Sequence, residues 1–289
     1  MVKSTKEYKR EKVNLLISQI KRKKEFSNIN DEFIEKLIVN KVDEKDLVKI
    51  SNHSKPEKSK EFKQSIKTIR KILHDIYGVF NIDENRSKLL NELEKESKNT
   101  NNINDNLKKI HINILKTHKS TNERLPFYDE IYQKVFHELK PKTILDLSSG
   151  LNPLSYHFMN LDGVKYIATE FVDEDTKFLN KYFSIMKKFN FDGEALTLNL
   201  LEIKDLPSSD ICFLFKTLDS LETLKKDITK EILNKINSKI IVISFPTTTL
   251  SGRKISKKRL IWFDRLIKEY FTFEIKNEIF YIINKTNLY

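Results

Sequence analysis

"LDLSSGLNPL", residues 145–154, places one of only five glycines in 289 residues between an apolar run and an Asn-Pro pair. The run it completes, "TILDL" (143–147), has the length and composition of a buried strand. "SSG" supplies the turn. Asn152 is a favoured N-cap, and Pro153 suits a first helical turn because its missing N–H would be unpaired there anyway, so a helix "PLSYHFMNL" is expected to start at Pro153. Its free N–H groups and positive dipole end would then point back over the turn, where they hold an anion such as a ligand carboxylate. Gly150 lets a ligand or another backbone approach without a Cβ in the way. A phosphate-binding P-loop would need a longer glycine loop and a Lys-Ser/Thr pair, and a dinucleotide fingerprint three spaced glycines; the stretch has neither. A turn with a purely structural role remains open on this stretch alone.

Outward toward the C-terminus, further short β-rich runs follow: "KYIATE" (165–170), "ALTLN" (195–199), "DICFLFK" (210–216) and "KIIVISF" (239–245). Helical segments alternate with them, most clearly 173–189 and 221–236, which is the signature of an α/β domain with a parallel sheet. "FTFEIK" and "EIFYIIN", joined only by Asn277, break the alternation and predict a tight hairpin. A parallel sheet that ends in an antiparallel hairpin is the layout of class I methyltransferases, a Rossmann-like fold; a nicotinamide-binding domain would continue with another helix and parallel strand.

Toward the N-terminus the punctuation changes. No glycine precedes Gly78, and Pro56 is the only proline before Pro126. Apolar residues recur at helical spacing: Val13, Leu16, Ile17, Ile20; Phe33, Leu37, Ile38; Ile66, Ile69, Leu73, Ile76; Ile103, Leu107, Ile110, Ile114. With polar connections at 51–60 and 96–105, this predicts a bundle of about four or five helices. Residues 1–117 are therefore expected to form a helical domain and 118–289 the α/β domain. The chain carries 53 Lys and Arg against 41 Asp and Glu, a net +12, and most of the surplus lies before residue 140. That asymmetry points the helical half at a polyanion such as RNA, with an oligomerisation or regulatory cap as the other reading. A lone Cys212 excludes an internal disulfide, no Cys/His spacing suits zinc, and no metal is expected. No run reaches the length of a membrane span and the first residues lack a secretory pattern, so a cytoplasmic protein is expected.

Several residues stand where a ligand would lie. Asp146 ends the first strand, and Glu170 ends the second, about 20 residues past the loop, where a carboxylate can accept both ribose hydroxyls of an adenosine. Asn199 can read an adenine edge through its amide while Leu200 or Leu201 packs on the ring. Lys216, Thr217 and Asp219 follow the fourth strand at the rim of the same cleft. The segment 253–268, "RKISKKRLIWFDRLIK", has seven basic residues against one acid and reads as a basic loop and helix for phosphates; Trp262 and Phe263 read as core.

Three ordered segments resemble the 16S rRNA guanine-N7 methyltransferases that confer aminoglycoside resistance: "HKSTNERLPFYDEIY" (118–132), "LDLSSGLNPL", and "VISFPTTTLSGRK" (242–254). "FLFKTLDSL" resembles that family's fourth-strand segment, and the likeness runs from about residue 118 to the end. The resemblance implies S-adenosyl-L-methionine as cofactor and 16S rRNA in the small ribosomal subunit as partner. It places Arg124 on the methionine carboxylate with Gly150 and Asn152 beside it, Glu170 at the ribose, and Asn199 with Leu200 near the adenine. Ser120, Thr121, Asp146, Ser148 and Lys216 complete the implied cofactor-binding set. The target guanine is implied near Ser244, Pro246, Ser251 and Arg253. The chain departs from the family's pattern in carrying Glu at 170, where Asp is more frequent, and Lys257 in place of a Met.

Guanine N7 is an unprotonated lone pair in the major groove, so its methylation removes no proton at the reacting atom and needs no general base. The lack of a His/Asp dyad or an activated Cys in these motifs agrees with that chemistry. A methyltransferase of another RNA site, and a non-catalytic RNA-binding or ribosome-assembly protein of the same fold, are the alternatives the sequence leaves.

Overall fold

A computed structural model describes residues 10–77, 85–137, 139–249 and 252–288. The described residues fall into two compact units, 10–77 and those from 85 onward.

The first unit is helical: α1 (Arg10–Lys21), α2 (Asp31–Lys41), α3 (Glu44–Asn52) and α4 (Lys60–Ile76). Val13, Leu16, Ile17 and Ile20 form one buried stripe on α1, and Phe62, Ile69 and Leu73 form its counterpart on α4. The helix starts are set by side chains that take up otherwise unpaired N–H groups: Asn30 accepts from Glu32 and Phe33, Asp43 from Lys45, and Ser59 from Phe62. Arg70 of α4 donates to the carbonyls of Gln19 and Ile20, closing the end of α1.

The second unit opens with α5 (Arg86–Lys98), α6 (Asp105–Lys116), α7 (Lys119–Arg124) and α8 (Tyr128–Phe136). The sheet then alternates with helices: β1 (Thr143–Leu147), β2 (Lys165–Glu170), α9 (Asp173–Met186), β3 (Asp192–Thr197), β4 (Ser209–Phe215), α10 (Leu218–Leu224), α11 (Ile228–Lys235) and β5 (Ser238–Pro246). After α12 (Ile261–Asp264) come β6 (Phe271–Ile275) and β7 (Glu278–Asn284). Strand order is β3-β2-β1-β4-β5-β7-β6. The first five strands are parallel, and β7 inserts antiparallel between β5 and β6. Side chains alternate between two cores: Ile211, Phe213 and Phe215 of β4 face Tyr132, Leu154 and Tyr182, whereas Cys212 and Leu214 face Ile232 and Phe263. Both faces are covered, which is why these strands read as apolar runs. The chain runs outward from β1 to β3 and then returns to β4, so a crevice opens outside the carboxyl ends of β1 and β4.

β1 and β2 occupy the expected residues, and the hairpin turns on Lys276 and Asn277. β3 begins three residues before the expected run, because Gly193 belongs to the strand: a Cβ there would lie 2.4 Å from the Phe183 ring. The expected α-helix at Pro153 is instead a 3-10 segment, Asn152–Phe158, and Leu151 rather than Asn152 occupies its N-cap. The Asn152 side chain turns inward to a buried carboxylate, which removes it from capping. No described helix is long and apolar enough to cross a membrane.

Candidate functional site: the crevice at the carboxyl ends of β1, β2 and β4

Two groups of residues converge at this end of the sheet. The first is built on the turn after β1. Ser148 and Gly150 both have positive φ, 54° and 55°, and the turn is tied to β2 by Ser148 N–H to Thr169 Oγ1 (3.1 Å) and Ser149 N–H to the Thr169 carbonyl (3.0 Å). Gly150 N–H donates a short hydrogen bond to the Glu170 carboxylate at the end of β2, and Ser149 Oγ lies 3.4 Å from the same oxygen. Burial first, and then the negative charge of Asp175, push the Glu170 carboxyl well above the usual carboxylate range. The His118 imidazole fills the space over Gly150, where an added Cβ would come within 2.9 Å of Cε1. Burial, with Arg86, Arg124 and Lys216 nearby, lowers His118 to about 3, so the ring is neutral at physiological pH.

Below the turn, Asp146 is 1% exposed and accepts from Tyr166 Oη (2.6 Å) and Asn152 Nδ2 (2.9 Å). Asn152 Oδ1 in turn accepts from Tyr128 (3.2 Å) and Tyr132 (3.3 Å). Burial raises Asp146 to about 6 against these donors. Asp146 and Asn152 thus sit in a closed polar knot that fixes where the 152–158 segment leaves the sheet.

The second group is organised by Glu278, the first residue of β7, paired in register with Pro246 of β5. Arg124 grips the Glu278 carboxylate through Nε (3.0 Å) and Nη2 (2.8 Å), and its guanidinium lies over the Phe215 ring at 4.8 Å. Ser244 Oγ donates to Glu278 and accepts from Lys216 N–H (3.1 Å). Lys216 Nζ bridges Glu278 (3.3 Å) and Glu123 (2.7 Å). Burial alone would raise the Glu278 carboxyl, but Arg124 and Lys216 hold it below its usual value. A pocket opens here, lined by Glu123, Arg124, Phe127, Lys216, Lys276 and Glu278.

The structure therefore brings together Ser148, Gly150 and Glu170 at the turn, and Arg124, Lys216, Ser244 and Pro246 around Glu278. Ser120 and Thr121 are buried in α7, where Thr121 Oγ1 bonds the carbonyls of Leu115 and His118. Asn199 accepts from Leu201 N–H (3.0 Å) in a local turn beyond β3, with Leu200 buried beside it. Arg253 is exposed on a hairpin held by Thr249, whereas Ser251 lies outside the described residues. Phe263 is fully buried and Trp262 packs edge-on against it, so neither is a stacking platform. Glu278 escaped the sequence reading because its partners Arg124, Lys216 and Ser244 are distant in the chain. Its one signal is an acid opening the otherwise apolar strand "EIFYII".

A five-strand parallel sheet with this order, a glycine turn after β1, an acid ending β2 and a terminal antiparallel hairpin defines the class I methyltransferase architecture. The family model described as ribosomal RNA methyltransferase (FmrO) matches residues 31–261, and the chain belongs to that family. A 16S rRNA (guanine(1405)-N(7))-methyltransferase from Micromonospora rosea is 30% identical over 233 residues, covering 76% of this chain and 82% of the relative. A protein of the same name from Proteus mirabilis is 30% identical over 229 residues, covering 75% of this chain and 76% of the relative. Among solved structures, the 16S rRNA methyltransferase RmtF in complex with S-adenosyl-L-homocysteine superposes with a TM-score of 0.73 at 23% identity, over 95% of this chain and 98% of the other. The 16S rRNA methylase ArmA gives a TM-score of 0.51 at 28% identity, over 68% of this chain and 96% of the other.

Proposed function

We propose that the protein methylates guanine N7 in the decoding region of 16S rRNA, within the small ribosomal subunit, and thereby confers aminoglycoside resistance. The observation that carries this reading is the glycine turn after β1 whose Gly150 N–H holds the Glu170 carboxylate at the end of β2, beside the crevice between β1 and β4, in a chain of this family. Bound S-adenosyl-L-methionine supplies an electrophilic methyl group on a sulfonium. The residues present fit that group. Glu170 offers a carboxylate to two ribose hydroxyls, and Arg124, held in place through Nε and Nη2 by Glu278, is the cation assigned to the methionine carboxylate. Ser148, Gly150 and Ser120 are assigned to the same end of the cofactor, and Asn199 and Leu200 to the adenine. Asp146, Asn152 and Thr121 act by holding the turn and α7 in place, and Lys216 by linking Glu278 to Glu123.

Guanine N7 carries a lone pair and no proton, so the protein has only to expose the base, hold it in line and exclude water. Extruding a base costs a few kcal/mol of stacking, which phosphate contacts must offset. Ser244, Pro246, Ser251 and Arg253 are assigned to the base side, and the basic residues of 253–268 to phosphates. Functionally, the helical part through residue 117 docks on the subunit, and the part from 118 performs the transfer. Purified small subunits incubated with labelled cofactor test this directly. Label is expected at one guanine of the decoding region, in a form cleaved by treatments specific for N7-methylguanine. Label at another atom or another RNA would overturn the assignment.

A further inference from the structure

α5 precedes every motif of the methyltransferase region, yet it is fastened at three levels along α9 and the 3-10 turn Lys187–Phe189 that follows it. Near its middle Asn91 accepts from Lys181 (2.7 Å) and Glu94 pairs with the same ammonium (3.1 Å). At its end the Ser97 carbonyl accepts from Lys188. At its first residue, Arg86 Nη1 lies 3.4 Å from Asp175 Oδ1 and the guanidinium lies over the Phe178 ring at 5.9 Å. Both partners are largely buried, with 17% and 19% of their side chains exposed. The two upper ties fix the register of α5 on α9, and that register delivers Arg86 to the first turn of α9.

Asp175 matters because of what it faces. It stands five residues after Glu170; its charge and that of Asp146 from β1 act on the Glu170 carboxylate, which accepts from two neutral donors of the turn, Gly150 N–H and Ser149 Oγ. Burial first, and then the charge of Asp175, oppose the anionic form of this carboxylate. Arg86 is the cation placed on one of those acids, and it also acts on the neutral His118 that covers Gly150. We propose that Arg86 is a positioning residue for the cofactor site: by offsetting the charge that Asp175 presents to Glu170, it lets Glu170 meet the ribose as a carboxylate. The inference rests on the ribose assignment of Glu170 made above.

The test is calorimetric titration of the intact chain with S-adenosyl-L-homocysteine across about pH 6 to 9.5. Arg86→Gln is expected to move the midpoint of the pH dependence upward by about half a unit to one unit, weakening binding about three- to tenfold at neutral pH and little at the alkaline end. Arg86→Lys should retain most of the wild-type profile. Asp175→Asn should lower the midpoint, and the double variant Arg86→Gln/Asp175→Asn should return toward wild type. A helix strap without the electrostatic role would weaken binding equally at every pH and would not be rescued by Asp175→Asn; either result overturns the proposal. Glu170→Gln separates the two layers. If it abolishes the pH dependence while Arg86→Gln leaves the midpoint unmoved, only the role of Arg86 falls. If Glu170→Gln leaves affinity and pH dependence intact, the ribose assignment falls and the role of Arg86 with it.

Discussion

Glu278→Gln removes one charge from the best-buried ionic cluster of the site while keeping the side chain's shape. Glu278 and Arg124 are 3% and 4% exposed, and the carboxylate accepts from Arg124 twice and from Ser244, and forms an ion pair with Lys216. The amide leaves the buried Arg124 without its counter-charge, while Lys216 keeps Glu123, and turns an N–H₂ toward a guanidinium that only donates. Breaking one partner of a buried pair costs about 3–5 kcal/mol, chiefly as the penalty of the stranded charge. We expect about 3 kcal/mol of lost stability in the sheet-bearing unit, read from urea unfolding with an unchanged m-value. The double replacement Arg124→Met/Glu278→Leu should cost far less than the two single changes summed, because no charge is then stranded. The sign with pH follows from the lowered carboxyl: its stabilisation is present above the ordinary Glu value of about 4.3 and is lost as pH falls through the depressed folded value. The gap between wild type and variant should therefore be constant near neutrality and close in acid. A Glu278→Gln loss below about 0.5 kcal/mol, within the range of ordinary surface changes, or strictly additive single and double variants, would refute the cluster's role.

Gly150→Ala should lose roughly 1–2 kcal/mol from the left-handed backbone alone, and weaken cofactor binding further as the new methyl displaces His118; differential scanning calorimetry and ligand titration read the two effects. Asp146→Asn presents an amide to Tyr166 and Asn152, both of which donate to the present carboxylate, and should cost about 1–3 kcal/mol in urea unfolding. Arg265→Ala, in the exposed basic segment, should leave cofactor affinity unchanged while lowering the slope of log K against log salt for subunit binding by about 0.7–0.9, the signature of one lost phosphate contact.

How far the sequence could be read depended on how local the determining forces were. β1 and β2 were legible residue by residue, since strands buried on both faces must be short apolar runs and their ends coincide with the turn chemistry. The turn and Glu170 were legible for the same reason: both sit at strand ends, and the strand ends were clear. β3 was not, because Gly193 reads as a breaker until the Phe183 ring packed on it is known. Asn152 was placed at a helix cap by its propensity, and tertiary structure overrode that preference with a buried acid from β1 that needed a donor. Glu278 and Arg86 were invisible: the first is defined by a partner 154 residues away, and the second by the register of two helices whose charged faces look like ordinary solvated surface.

The central claim is that the turn between β1 and the 152–158 segment, with Glu170 and Arg124, seats S-adenosyl-L-methionine. Isothermal titration of S-adenosyl-L-homocysteine into the intact chain tests it most directly. The account predicts one site per chain, lost in both Arg124→Ala and Glu170→Ala while circular dichroism shows each variant folded. Absence of binding to the wild-type chain, or binding that both variants retain at full strength, would contradict it.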